Sequence, residues 1–211
     1  MNKNRLEAFS DGVLAIVITI MVLELKVPHG SDVHSLTPLI PVFLSYILSF
    51  LYVGIYWNNH HHLLQATRHI NGRVLWANLH LLFWLSLLPF STGWMGENHF
   101  NPLPTAIYGV NLAACAVAYW LLVHSITCAA DQNNTVRFAI GRDYKGIFSV
   151  VGYCLAVPLA FYHEWISQLI YLGIALLWFI PDCRIEKIFP IIQFKIFYKI
   201  FDAYYGVIKT A

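Results

Sequence analysis

Apolar residues along this chain do not alternate with polar ones at the period of a half-buried strand. They run together in long blocks separated by short polar stretches. A block of roughly 20 apolar residues is the length a helix needs to cross the hydrocarbon of a bilayer. Six are legible: Phe9 to Leu25, Leu39 to Trp57, Val74 to Phe90, Thr105 to Cys128, Ile147 to Phe161, and Ile166 to Ile180. The last two are short, and the flanking aromatics Tyr162, Trp165 and Trp178 extend them to the interface. Pro28, Pro38, Pro102, Pro104 and Pro181 lie outside the blocks or at their ends, and Pro89 and Pro158 are placed to tilt a last turn. No block is repeated. The pattern predicts an all-α membrane protein with six transmembrane helices in one domain, residues 1–182, followed by a tail over 183–211. In that tail Lys195, Lys199 and Asp202 recur at helical spacing against Ile and Phe. They suggest an amphipathic helix on the inner leaflet, with packing under the bundle as the alternative.

Composition agrees with lipid as the solvent. Of 211 residues 58% are hydrophobic and only 11% charged, against about half and a quarter in soluble domains. A net charge of +2 offers no basic field for nucleic acid. The basic residues are unevenly placed. Lys3 and Arg5 precede the first span; Arg68 and Arg73 lie between the second and third; Arg137, Arg142 and Lys145 lie between the fourth and fifth; Arg184, Lys187, Lys195, Lys199 and Lys209 follow the sixth. Lys26 alone falls on the other side, so the positive-inside rule puts both termini in the cytoplasm and requires an even number of spans. Glu24 and Lys26 stand where a signal peptidase would need small residues, so the first span is expected to be retained. Cys115, Cys128, Cys154 and Cys183 are far apart and read as packed thiols, not as a disulfide or zinc framework.

The first span carries the candidate chemistry. It opens R5-L-E-A-F9-S10-D11-G12 before the apolar run. A carboxylate just inside an apolar helix is costly unless paired. Arg5, Ser10 and the string W57-N58-N59-H60-H61-H62 at the end of the second span are the candidate partners of Asp11, and a helix cap solvated by head-group water is the simpler reading. At about 100° per residue, Ile16, Ile20 and Leu23 share a narrow stripe with Thr19 at its edge, well over a right angle from Asp11. By itself that stripe is ordinary packing.

The R5-x-x-x-F9-S10-D11-G12 signature resembles that of the transmembrane protein 175 family of potassium channels, particularly its single-repeat bacterial members. The resemblance continues in S45-Y-I-L-S-F-L-Y-V-G-I-Y56-W57-N-N-H60-H61, in N78-L-H-L-L-F-W-L-S-L-L-P89-F90 and in Y108-G-V-N111. It implies a multi-pass protein of a prokaryotic cell membrane, with potassium as the permeant ion and no cofactor. It further implies a homotetramer around a central pore lined by the first helix. The family's constriction positions match Ile16, Ile20 and Leu23, with Thr19 as the nearby hydroxyl, and a network of Arg5, Phe9, Ser10, Asp11, Trp57, His60 and His61 would brace the helix. The T-V-G-Y-G filter of ordinary potassium channels is missing from the sequence.

Two other classes compete. A membrane-embedded metal-dependent hydrolase could use His60, His61 and His62 with Asp11 and His80, but successive histidines on a helix point in different directions. A secondary transporter would be expected to show inverted repeats and midplane charges. Here Asp11 and Glu24 lie at the ends of the first span, and Gly54, Gly109, Gly152 and Gly173 read as close helix crossings. Asp32, Glu97 and His99 read as solvated residues of the outer loops.

Overall fold

The computed structural model describes residues 3–67, 70–129 and 144–179, and all regular structure among them is helical. The helices are α1 (Lys3–Leu23), α2 (Ile40–Ala66), α3 (Gly72–Ser86), α4 (Leu88–Glu97), α5 (Pro102–Ala129), α6 (Tyr144–Tyr162) and α7 (Glu164–Phe179). A short 3-10 turn, Val33–Leu39, precedes α2. Five segments are long and apolar enough to cross a membrane, α3 and α4 counting together as one of 26 residues. At 16 residues α7 is shorter, roughly 24 Å at 1.5 Å per residue. Ile180, Pro181 and the tail, with its boundary near residue 182, lie outside the described residues.

The third span differs from its sequence reading. It does not tilt and stop at Phe90 but breaks at Leu87 and restarts as α4, running on to Glu97. Pro89 occupies the first turn of α4, where its missing N–H had no partner to lose. The small and polar run that follows, including Ser91, Thr92, Gly93 and Gly96, is buried because α4 packs closely on α2. A Cβ on Gly96 would stand 2.7 Å from the backbone Cα of Val42. Gly96→Ala is therefore expected to push α4 off α2 at about 1–3 kcal/mol, read as a lowered melting temperature in detergent. Gly54→Ala, with nothing within 4 Å of its added methyl, is the silent comparison.

Of the glycines expected to mark helix crossings, Gly109 and Gly152 do so, against Tyr171 and Ile174, while Gly54 and Gly173 face open space. At Gly109 the missing side chain lets the Tyr171 ring lie on the α5 backbone, with its hydroxyl donating to the Thr105 carbonyl at 3.2 Å. Four tyrosines, Tyr52, Tyr108, Tyr153 and Tyr171, are fully buried. A phenol in an apolar interior needs a partner, and each has one. Tyr52 donates to the Tyr171 carbonyl (2.6 Å), Tyr153 donates to Tyr52 (3.2 Å), and Tyr108 shares Ser49 (2.9 Å) with Thr92 (2.6 Å). These bonds tie α2 to α4, α5, α6 and α7, while α1 packs against α2, α3 and α4.

Candidate functional site

α1 has two unlike faces. Leu6, Ser10, Leu14, Val17 and Met21 form a buried stripe against the rest of the bundle. Opposite lie Phe9 at 52% exposure, Ile16 at 59%, Ile20 at 43% and Leu23 at 77%, with Thr19 also exposed. Among the described residues nothing else covers this apolar face. The Thr19 hydroxyl donates back to the Ile16 carbonyl at 2.8 Å, which uses its proton and leaves its lone pairs unused.

Behind the buried stripe is a directed hydrogen-bond chain. Ser10 donates to the Leu6 carbonyl (2.9 Å), Asn78 of α3 donates its amide to Ser10 (3.0 Å), and the Asn78 carbonyl oxygen meets Nε2 of His60 on α2 at 2.7 Å. An amide oxygen only accepts, so His60 carries its proton on Nε2. Its Nδ1 is buried and has no partner among the described residues. Ser10, His60 and Asn78 are each at most 1% exposed, so three helices are pinned by polar groups that water does not reach.

A second, more open set lies nearer the N-terminal end of α1. Trp57 donates its indole N–H to Asp11 at 3.0 Å. Trp57 also stacks on His61, whose Nδ1 meets Glu7 at 3.0 Å and whose Nε2 meets Gln65 at 2.8 Å. Lys3 donates to the Gln65 carbonyl at 2.9 Å. The start of α1 is thereby held beside the end of α2, and the two helices run antiparallel.

Arg5 and Phe9 do not join this network. Six residues on a helix separate side chains by about 120°, so Arg5 points away from Asp11 and lies exposed at the head of the Ile16 stripe, without an ion pair among the described residues. Asn78, Glu7 and Gln65 belong to the network and were not singled out from sequence. An asparagine in the middle of an apolar span was the available signal, since an unpaired amide there is costly. His60 turns to Asn78 and His61 to Glu7, and among the described residues no three His, Cys, Asp or Glu groups are arranged to hold a metal.

At the far end of α1, Lys26 meets Glu97 at 2.5 Å, so Glu97 is not merely solvated, and Asp32 caps the 3-10 turn by accepting from the Ser35 N–H. His99 lies in the left-handed region at φ 51°, in the turn between α4 and α5. The hydrogen bond to Glu97, and then its charge, raise the Lys26 ammonium above the ordinary 10.5. The pair's contribution is present in full below that ordinary value and is lost as pH rises through the raised one. In detergent the melting temperature is therefore expected to exceed that of Lys26→Gln by a small, constant margin at neutral pH, and the margin is expected to shrink as pH rises through the raised value.

Residues 5–89 match the family model described as the endosomal/lysosomal potassium channel TMEM175. A potassium channel of Chryseobacterium sp. (strain P1-3) is 54% identical over 187 residues, covering 89% of this chain and 97% of that one. The chain belongs to the TMEM175 family. A potassium channel of Streptomyces collinus is 32% identical, covering 76% of this chain and 84% of its own length. The crystal structure of a lysosomal potassium-selective TMEM175 homolog from Chamaesiphon minutus aligns with a TM-score of 0.71 at 29% identity, over 83% of this chain and 95% of that one. TMEM175 proteins are channels, not enzymes, which removes the hydrolase reading of the histidines. The matched segment takes in α1, α2, α3 and the start of α4, so the two faces of α1 and the whole Ser10, Asn78 and His60 chain fall inside the TMEM175 match.

Proposed function

We propose that this chain forms a potassium channel of modest selectivity, a homotetramer in a prokaryotic cell membrane with both termini in the cytoplasm. Four copies of α1 meet at the axis, and Ile16, Ile20 and Leu23 make the constriction, with Thr19 offering an oxygen beside it. The observation that carries this reading is the apolar stripe of α1 that no other described helix covers, backed by a fully buried stripe anchored to α2 and α3. A helix that shapes a pore must be held rigidly on one side and left bare on the other. The relatives named potassium channels add to it.

A ring of aliphatic side chains takes water from a passing ion and returns no oxygen, so passage depends on ring width and on the cost of dehydration. Potassium holds its water less tightly than sodium and crosses at lower cost. The same ring closes the path when it dewets. The carbonyl end of α1 faces the outer mouth and favours cations there.

The test is a light-scattering mass in detergent, expected to equal four chains, together with potassium efflux from liposomes carrying an outward potassium gradient. A monomer, or liposomes no leakier than protein-free ones, would refute the proposal.

A further inference from the structure

On the side of the bundle away from α1 is a partly open cleft of about 460 Å³, counting the space at its mouth, bounded by α2, α5, α6 and α7. Tyr56, Asn59, Ala116, Trp120, Ser149 and Trp178 are among its lining residues, and none of the described lining residues is charged. The space exceeds the ~10–15 Å³ a water needs, but a buried water also needs 2–4 polar partners. Several of the polar groups here are already engaged with the protein. Trp178 donates to Ser149 (2.7 Å), Ser149 donates to the Lys145 carbonyl (2.8 Å), and the Asn59 amide donates to the Ile55 carbonyl (2.8 Å). An apolar occupant strands none of these three donors.

The cleft reaches from Trp178, one residue from the end of α7, to Tyr52 and Tyr153 in the tyrosine core, and Trp120 beside it is 49% exposed. It therefore runs from the interface towards the bilayer centre and opens sideways. An apolar void that stays empty forfeits the dispersion contacts of its walls. In a bilayer the filler always present at such an opening is hydrocarbon.

We propose that the cleft is a binding site for one acyl chain of a bilayer phospholipid, which enters beside Trp120 and fills the space between Tyr56 and Ser149. The bound chain acts as a wedge between α2 and the α6–α7 pair. α1 is no part of the lining, so the site stands or falls independently of the pore proposal.

The full chain would be reconstituted in phosphatidylcholine vesicles containing a phosphatidylcholine with a diazirine near the end of one acyl chain, then irradiated, digested and mapped. Labels are expected on Tyr56 and Ser149, as well as on lipid-exposed positions such as Leu169 and Phe179. Ala116→Phe, which fills the cleft, is expected to cut labelling of Tyr56 and Ser149 about tenfold and leave Leu169 and Phe179 unchanged. Ala116→Ile is the milder variant should Phe prevent folding, and is expected to cut it about threefold. Absence of label from the lining in the unmodified protein would overturn the proposal, as would labelling of Tyr56 and Ser149 that both fillings leave unchanged.

Discussion

Ile16→Asn is expected to bring the bi-ionic reversal potential for potassium against sodium close to zero while raising single-channel conductance. The side chain sits on the bare face of α1, 59% exposed in one chain. Four copies at an axis would present four apolar branches to the ion, and Asn replaces them with four carbonyl oxygens and four amides that wet the ring. A tenfold preference corresponds to about 1.4 kcal/mol between the two ions' barriers, which is less than the worth of one well-placed oxygen to a partly dehydrated ion. The discrimination should therefore be lost and not merely reduced. Ile16→Val keeps the ring apolar and should retain it. Leu14→Ala, two residues away on the buried stripe, should lower stability without altering ion preference. An unchanged reversal potential in Ile16→Asn, with the protein folded and tetrameric, would place the pore elsewhere.

The largest stability effect is expected from Asn78→Leu. The amide both donates to Ser10 and accepts from His60, and His60 Nδ1 already lacks a partner among the described residues. Removing Asn78 leaves both ring nitrogens of a buried imidazole unpaired. Interhelical hydrogen bonds in membrane proteins average only about 0.6 kcal/mol, because the separated helices find other partners. A stranded buried group costs about 1–3 kcal/mol, and here the second term decides, giving an expected loss of about 2–4 kcal/mol by denaturation in detergent. His60→Leu combined with Asn78→Leu should cost less than the two single changes added together, since the double variant strands no imidazole. Additive effects, or a single-variant loss below about 0.5 kcal/mol, would show that the chain of bonds does not hold α1 in place.

The two predictions concern opposite faces of one helix, and those faces were unequally legible. The stripe of Ile16, Ile20 and Leu23 follows from helical spacing alone. That it is bare follows only from seeing Leu6, Ser10, Leu14, Val17 and Met21 take up the contacts with α2, α3 and α4. The partner of Asp11 was narrowed to a few candidates, among which Trp57 is the one it meets and Arg5 is not. The role of Asn78 is not legible in the sequence, because an apolar run read for length hides a single polar residue whose partners lie 18 and 68 positions away.

The amino-acid sequence determined the solvent, the all-helical class and the approximate spans by itself. Hydrocarbon leaves a backbone no partner but its own helix, so length and apolarity suffice for those conclusions. Only the tertiary structure decided where the third span breaks and runs on past Pro89, which glycines admit a neighbouring helix, and that His60, Asn78 and Ser10 form one chain of bonds. In lipid every face of such a helix is apolar, so hydrophobicity cannot say which face meets which neighbour. Close packing and hydrogen bonds between distant residues make that choice.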